Sequence, residues 1–79
     1  MTWEQNKAVE LIAGEIKAQA TGQYPDHQFG EGMLQMAYAV GLITVAQLDD
    51  FTATLRTAVK NRRQELREEH NEGLKRVAA

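Results

Sequence analysis

The part of the chain with the least conformational choice is residues 33–55, MLQMAYAVGLITVAQLDDFTATL, two apolar stripes of helical period joined by Gly41-Leu42-Ile43-Thr44. Gly41 has no Cβ and can enter the left-handed region that ends a helix, after which Leu42 can fold back onto the last turn. Thr44 stands three residues before Gln47, the spacing at which a hydroxyl and a side-chain amide satisfy each other's backbone N–H groups, and Ile43 is placed to staple onto Leu48. The chain is thereby committed to helix, sharp turn, helix. No residue in this stretch carries recognisable chemistry, so it specifies a fold and not a reaction.

A second capping box opens the chain, because Thr2 is followed three residues later by Gln5, with Glu4 in the first turn where the helix dipole favours an acid. This predicts a helix over about 3–20, with Val9, Ile12, Ala13, Ile16 and Ala20 as its core stripe. Trp3 and Leu11 fall off that stripe, Leu11 on the side of Ala8 and Ala18, and are candidates for a second contact surface. Thr21-Gly22-Gln23-Tyr24-Pro25-Asp26 then breaks the helix. A second helix is expected over about 27–40, capped by Asp26; Gly30 and Gly32 in its first turns could delay its start to Glu31. Phe29, Met33, Met36 and Val40 make the larger apolar stripe of this helix, expected to be the most buried of the three. Gly30, Ala37 and Gly41 form a line of small residues that lets a neighbouring helix approach. Met33 and Met36 with Phe29 could instead form an adaptable partner groove, the less favoured assignment beside core packing.

From Thr44 a third helix presents Val45, Leu48, Phe51, Leu55, Ala58 and Val59 to the core. Beyond Val59 the stripe thins to Leu66, Leu74 and Val77, and Arg62 interrupts it. The helix is expected to run over about 45–71, roughly 40 Å at 1.5 Å per residue, and so to outreach the two helices that cover it. Asn71 and Gly73 are its expected stops, leaving a frayed tail over 72–79. The fold expected is all-α, a single domain in which two shorter helices pack on the first half of a long C-terminal one.

Composition narrows the function classes. There is no cysteine and no serine, and the two histidines, His27 and His70, stand apart. This removes disulfides, thiolate zinc sites and the usual nucleophile–base pairs; neither histidine has a second histidine at metal-ligand spacing, and no enzyme activity, cofactor or metal is expected. Gly30-x-Gly32 follows no strand and lacks the rest of a phosphate loop. No basic start leads into an apolar leader, and no apolar run approaches a membrane span, so a cytoplasmic protein without membrane attachment is expected.

Charge is the remaining signal. Residues 1–55 carry seven acids and two bases, whereas 56–79 carry seven bases and four acids. Along the third helix Arg56, Lys60, Arg62 and Arg63 precede Glu65, Glu68, Glu69 and Glu72, with Arg67 among them; this order opposes the helix dipole, and few ideal intrahelical pairs exist beyond Glu72 with Arg76. Two antiparallel copies would set each basic segment against the other's acidic segment. The expectation is a homodimer with Leu55, Val59, Arg62, Arg63 and Leu66 along the seam and Arg56 and Lys60 supplying complementarity. A chain this short gains from such association, and Trp3 and Leu11 are the second candidate surface for a protein partner of unspecified identity. Nucleic-acid binding through the segment from Arg56 to Arg67 is disfavoured, because glutamates adjoin it, no aromatic interleaves it and the pI is about 5.6. A helix-turn-helix reader is disfavoured too, since its recognition helix would open with Gln47, Asp49 and Asp50. The compact, cysteine-free, all-helical make-up resembles the accessory proteins of bacteriophages and bacterial mobile elements, which implies binding to and modulation of a host factor and assigns no residue.

Overall fold

The computed structural model describes residues 2–78, with side-chain surroundings through Leu74. It is all-α: α1 spans Trp3–Thr21, α2 Gln28–Ala39 and α3 Val45–Ala78. Both capping boxes form. Thr2 Oγ1 accepts from Gln5 N at 3.2 Å while Gln5 Oε1 accepts from Thr2 N at 2.9 Å. Thr44 and Gln47 repeat the exchange at 3.1 and 2.8 Å. Gly41 sits at φ +79°. The N–H of Leu42 reaches back to the Ala37 carbonyl at 2.8 Å and that of Gly41 to Tyr38 at 3.0 Å, the paired bonds of a Schellman stop. Ile43 and Leu48, the two halves of the staple, are both buried in the core.

Because the loop over 22–27 and the elbow over 40–44 each reverse the chain, α1 and α3 run in the same direction with α2 antiparallel against both. Gln5 shares a hollow with Thr44 and Gln47 at one end, and Gly22 meets Arg62 at the other. The core is one cluster of Ile12, Leu34, Ala37, Ile43, Leu48, Leu55 and Val59, with Val9, Ile16, Met33, Leu42 and Phe51 packed around it.

Two helices turn differently from the sequence expectation. On α1, Ala8 is buried and Ala13 is exposed. On α2 the buried face is Gly30, Leu34 and Ala37, whereas Phe29, Met36 and Val40 are exposed. The reason is close approach: a Cβ on Gly30 would lie 2.6 Å from Leu55 Cδ2, so the small-residue face is the one that lets α2 settle against α3. The bulky stripe is left on the flank, although with three of its twelve residues buried α2 still has the largest buried share of the three helices among the described residues. Asp26 accepts from Gln28 N at 3.2 Å, but the residue at the α2 N-cap position is His27, whose side chain caps nothing.

The third helix does not stop at Asn71 or Gly73. It continues to Ala78. Its 34 residues correspond to about 51 Å at 1.5 Å per residue, and it sets the long axis of a molecule measuring 57 × 18 × 15 Å. The radius of gyration is 16.0 Å, against roughly 12 Å for a globular chain of this length. The pairing of Glu72 with Arg76 and the part played by Val77 fall on side chains outside the described residues.

Candidate partner-binding surfaces

Turning α2 outward creates an apolar groove. Trp3, Lys7 and Leu11 on α1 face Met33 and Met36 on α2 and Val40 at its C-cap; Ala8, Ile12 and Ala37 form the floor, and Leu42 also lines it. Its volume is about 340 Å³ and its lining is almost wholly apolar, with Glu4 and Lys7 at the rim. Trp3 is 73% exposed, Leu11 53%, Met36 65% and Val40 61%, a density of exposed apolar side chains far above the scattered singles of an ordinary surface. Trp3 and Leu11, singled out from sequence, are therefore brought together. Met33, Met36, Val40 and Leu42 complete the surface; Met33 and Met36 are expected from sequence only as the less favoured groove with Phe29, which does not line this one, and Val40 and Leu42 are not expected in it. The signal for them lay in the Gly30/Ala37 line: once the small face is given to α3, the bulky face must point away.

The residues expected along a seam between two copies of α3 are placed elsewhere. Leu55 and Val59 are 1% and 2% exposed and belong to the chain's own core, so neither is available to a partner. Leu66 is half-buried. Arg62 Nε donates to the Gly22 carbonyl at 2.8 Å and its Nη1 to Glu65 at 3.0 Å. Arg63 Nε donates to the Pro25 carbonyl at 3.2 Å. These two arginines hold the loop between α1 and α2, whose carbonyls would otherwise lack donors. Arg56 pairs with Glu31 on α2.

Glu31 also has His27 Nδ1 at 3.1 Å, a buried nitrogen that makes no aligned hydrogen bond. The Arg56 guanidinium is the main cause holding the Glu31 carboxyl below its ordinary range; desolvation works against it and His27 adds a smaller lowering. His70 is exposed. Among the described residues no three His, Cys, Asp or Glu side chains are grouped to hold a metal ion, and no helix is long and apolar enough to cross a membrane.

Charge on α3 is separated by face as well as along the helix. At 100° per residue, Arg56, Lys60, Arg63 and Arg67 fall within an arc of about 60°, and Glu65, Glu68, Glu69 and Glu72 lie roughly on the opposite side. The four bases line one hollow of about 400 Å³ with His27 and Gln64. In an antiparallel two-fold pair of α3 helices each flank meets the same flank of the partner, hence base against base or acid against acid. The separation of charge by face therefore does not favour the antiparallel seam expected from the linear order. A broader hollow of about 540 Å³ between the end of α1 and α3 is lined by small residues, among them Ala53, Thr54, Thr57 and Ala58. It offers neither an apolar anchor nor a cluster of like charge.

The architecture defines the class: a three-helix protein with an unpartnered apolar groove on one flank and a charged, overhanging helix on the other. Compared with protein-family models, curated proteins and solved structures, the chain finds no match in any of the three.

Proposed function

We propose that this chain is a non-enzymatic, cytoplasmic protein-binding module that pairs with a second copy of itself through the groove between α1 and α2. The observation that supports this is the contiguous exposure of Trp3, Leu11, Met36 and Val40 around an apolar hollow. Burying such a surface is favourable by about 25 cal/mol per Å², and a small chain has few other means of covering it. The groove is also suited to an isologous contact. Its rim carries Glu4 and Lys7, and a two-fold axis between them would set the acid of each copy near the base of the other. Trp3, large and barely covered, is the side chain able to enter the facing groove. The absence of serine and cysteine and the separation of the two histidines support a non-catalytic role.

Molar mass in solution tests the proposal, measured by light scattering over a concentration series at low and high salt. The expected result is twice the 8.9 kDa chain mass, retained at high salt because the contact is apolar. Leu11→Glu and Met36→Glu should each yield folded monomer. A wild-type monomer at every concentration, or a dimer that ignores both substitutions, would overturn it.

A further inference from the structure

We propose that the row Arg56, Lys60, Arg63 and Arg67 docks on the phosphate backbone of a nucleic acid, as a surface independent of the pairing groove. The row occupies one strip of an exposed helix and spans about 16 Å, with successive members about 4.5–6 Å apart along the axis. Among the described residues Lys60, Arg63 and Arg67 form no ion pair; the pairs present are Lys7–Glu10, His27–Glu31, Arg56–Glu31 and Arg62–Glu65. At least three positive charges are thus uncompensated on one face of a chain whose net charge is −2.

The glutamates that argue against such binding in the linear sequence lie across the helix. A helix with its side chains is about 10–12 Å thick, comparable to the screening length of about 8 Å at physiological ionic strength, so the far face does little to cancel the near one. The row is also partly ordered in advance. Arg63 is fixed by the Pro25 carbonyl and Arg56 by Glu31, which lowers the entropy lost on contact.

The choice of nucleic acid over an acidic protein follows from what the strip lacks. Protein interfaces are anchored by buried aromatic or aliphatic side chains, and the one apolar residue at this hollow, Val59, is 2% exposed. A regular polyanion needs only evenly placed cations, because its affinity comes from the release of counterions. Recognition of this kind is positional and does not read base identity.

The test is fluorescence anisotropy of the full chain with two labelled duplexes of unrelated sequence, each of about 20 base pairs. For three to four phosphates neutralised, binding should weaken by about 40- to 150-fold between 50 and 200 mM salt, equally for both sequences. Lys60→Glu with Arg67→Glu removes two charges that hold nothing in the fold, so helicity should be retained while affinity falls about tenfold or more. Glu68→Gln with Glu69→Gln, on the far face, should shift it by less than about threefold. Absence of binding at 50 mM salt, wild-type affinity in the Lys60/Arg67 variant, or tighter binding to a polyglutamate peptide than to either duplex would each overturn the proposal. Loss of the dimer in the Leu11 or Met36 variants should leave binding by the single chain in place, which keeps the two proposals separable.

Discussion

Arg62 Nε donates to the carbonyl oxygen of Gly22 across 2.8 Å, joining residues forty positions apart in the chain. Arg63, next in sequence, reaches the Pro25 carbonyl. Adjacent residues of a helix point about 100° apart, so two arginines from one turn hold the loop that connects α1 to α2 at its first residue and at Pro25. This contact decides where the loop lies, because its main-chain oxygens have few other donors.

Replacing Arg62 with methionine keeps the aliphatic stem and removes the donor. Stability should fall by about 1–2 kcal/mol, the scale of a charge-assisted hydrogen bond to a partly buried acceptor. Thermal unfolding reads this as a lowering of about 4–16 °C for a domain of this size. Arg62→Lys should not restore it, since lysine cannot place a planar N–H where Nε stands. Arg63→Met, at a longer bond made by an exposed side chain, should cost less.

Glycine substitutions should separate by environment. A Cβ at Gly30 would meet Leu55 Cδ2 at 2.6 Å, and Leu55 is walled into the core, so Gly30→Ala should destabilise by about 1–2 kcal/mol despite the gain in helix propensity. Gly14 and Gly32 have nothing within 4 Å, and alanine at either should stabilise by about 0.5–1 kcal/mol. Denaturant unfolding of the three variants gives the comparison, and equal shifts at all three sites would refute the close packing of α2 on α3.

At Gly41 there is open space around a Cβ but φ is +79°, so a substitution pays only backbone strain. Gly41→Val should lower stability by about 2 kcal/mol or more, and Gly41→Asn by less, because asparagine tolerates the left-handed region. Unchanged thermal stability in the valine variant would refute the elbow as the stop of α2.

The Glu31 carboxyl is held below the ordinary glutamate range in the folded chain, chiefly by the Arg56 hydrogen bond. A group depressed in the folded state contributes stability that is fully present above its unfolded pKa and is lost as pH falls through the folded one. Stability should therefore decline from about pH 5 downward, and part of that decline should vanish in Glu31→Gln. An identical acid slope in the variant, followed by thermal melts from pH 6 to 3, would remove the pair with Arg56 from the account.

What could be read from the sequence follows the range of the forces involved. Caps and the Schellman stop are satisfied within five residues, so Thr2 with Gln5, Gly41 with Leu42, and Thr44 with Gln47 declare themselves in the linear order. The rotation of α2 does not, because it is decided between Gly30 and Leu55 on different helices. Apolar volume alone favoured the bulky stripe of Phe29, Met36 and Val40 as the core face, and that choice concealed most of the groove around Trp3 and Leu11. The arginines were noticed for their charge, but their acceptors are loop carbonyls forty and thirty-eight residues away, which no local pattern reports. The end of α3 was misjudged for the opposite reason: Asn71 and Gly73 permit a stop without requiring one.

The overhang of α3 makes this single helix two objects thermodynamically. Its first half opens only when the core around Leu48, Leu55 and Val59 comes apart, so its amides should exchange with solvent only through global unfolding. Among the described residues after Arg62, through Leu74, only Leu66 is partly buried, so this stretch of the helix should exchange through fraying alone. Protection along one uninterrupted helix should therefore fall through a gradient centred near the arginines that hold the loop, and a ligand on the basic row would move that gradient outward without altering the fold beneath it.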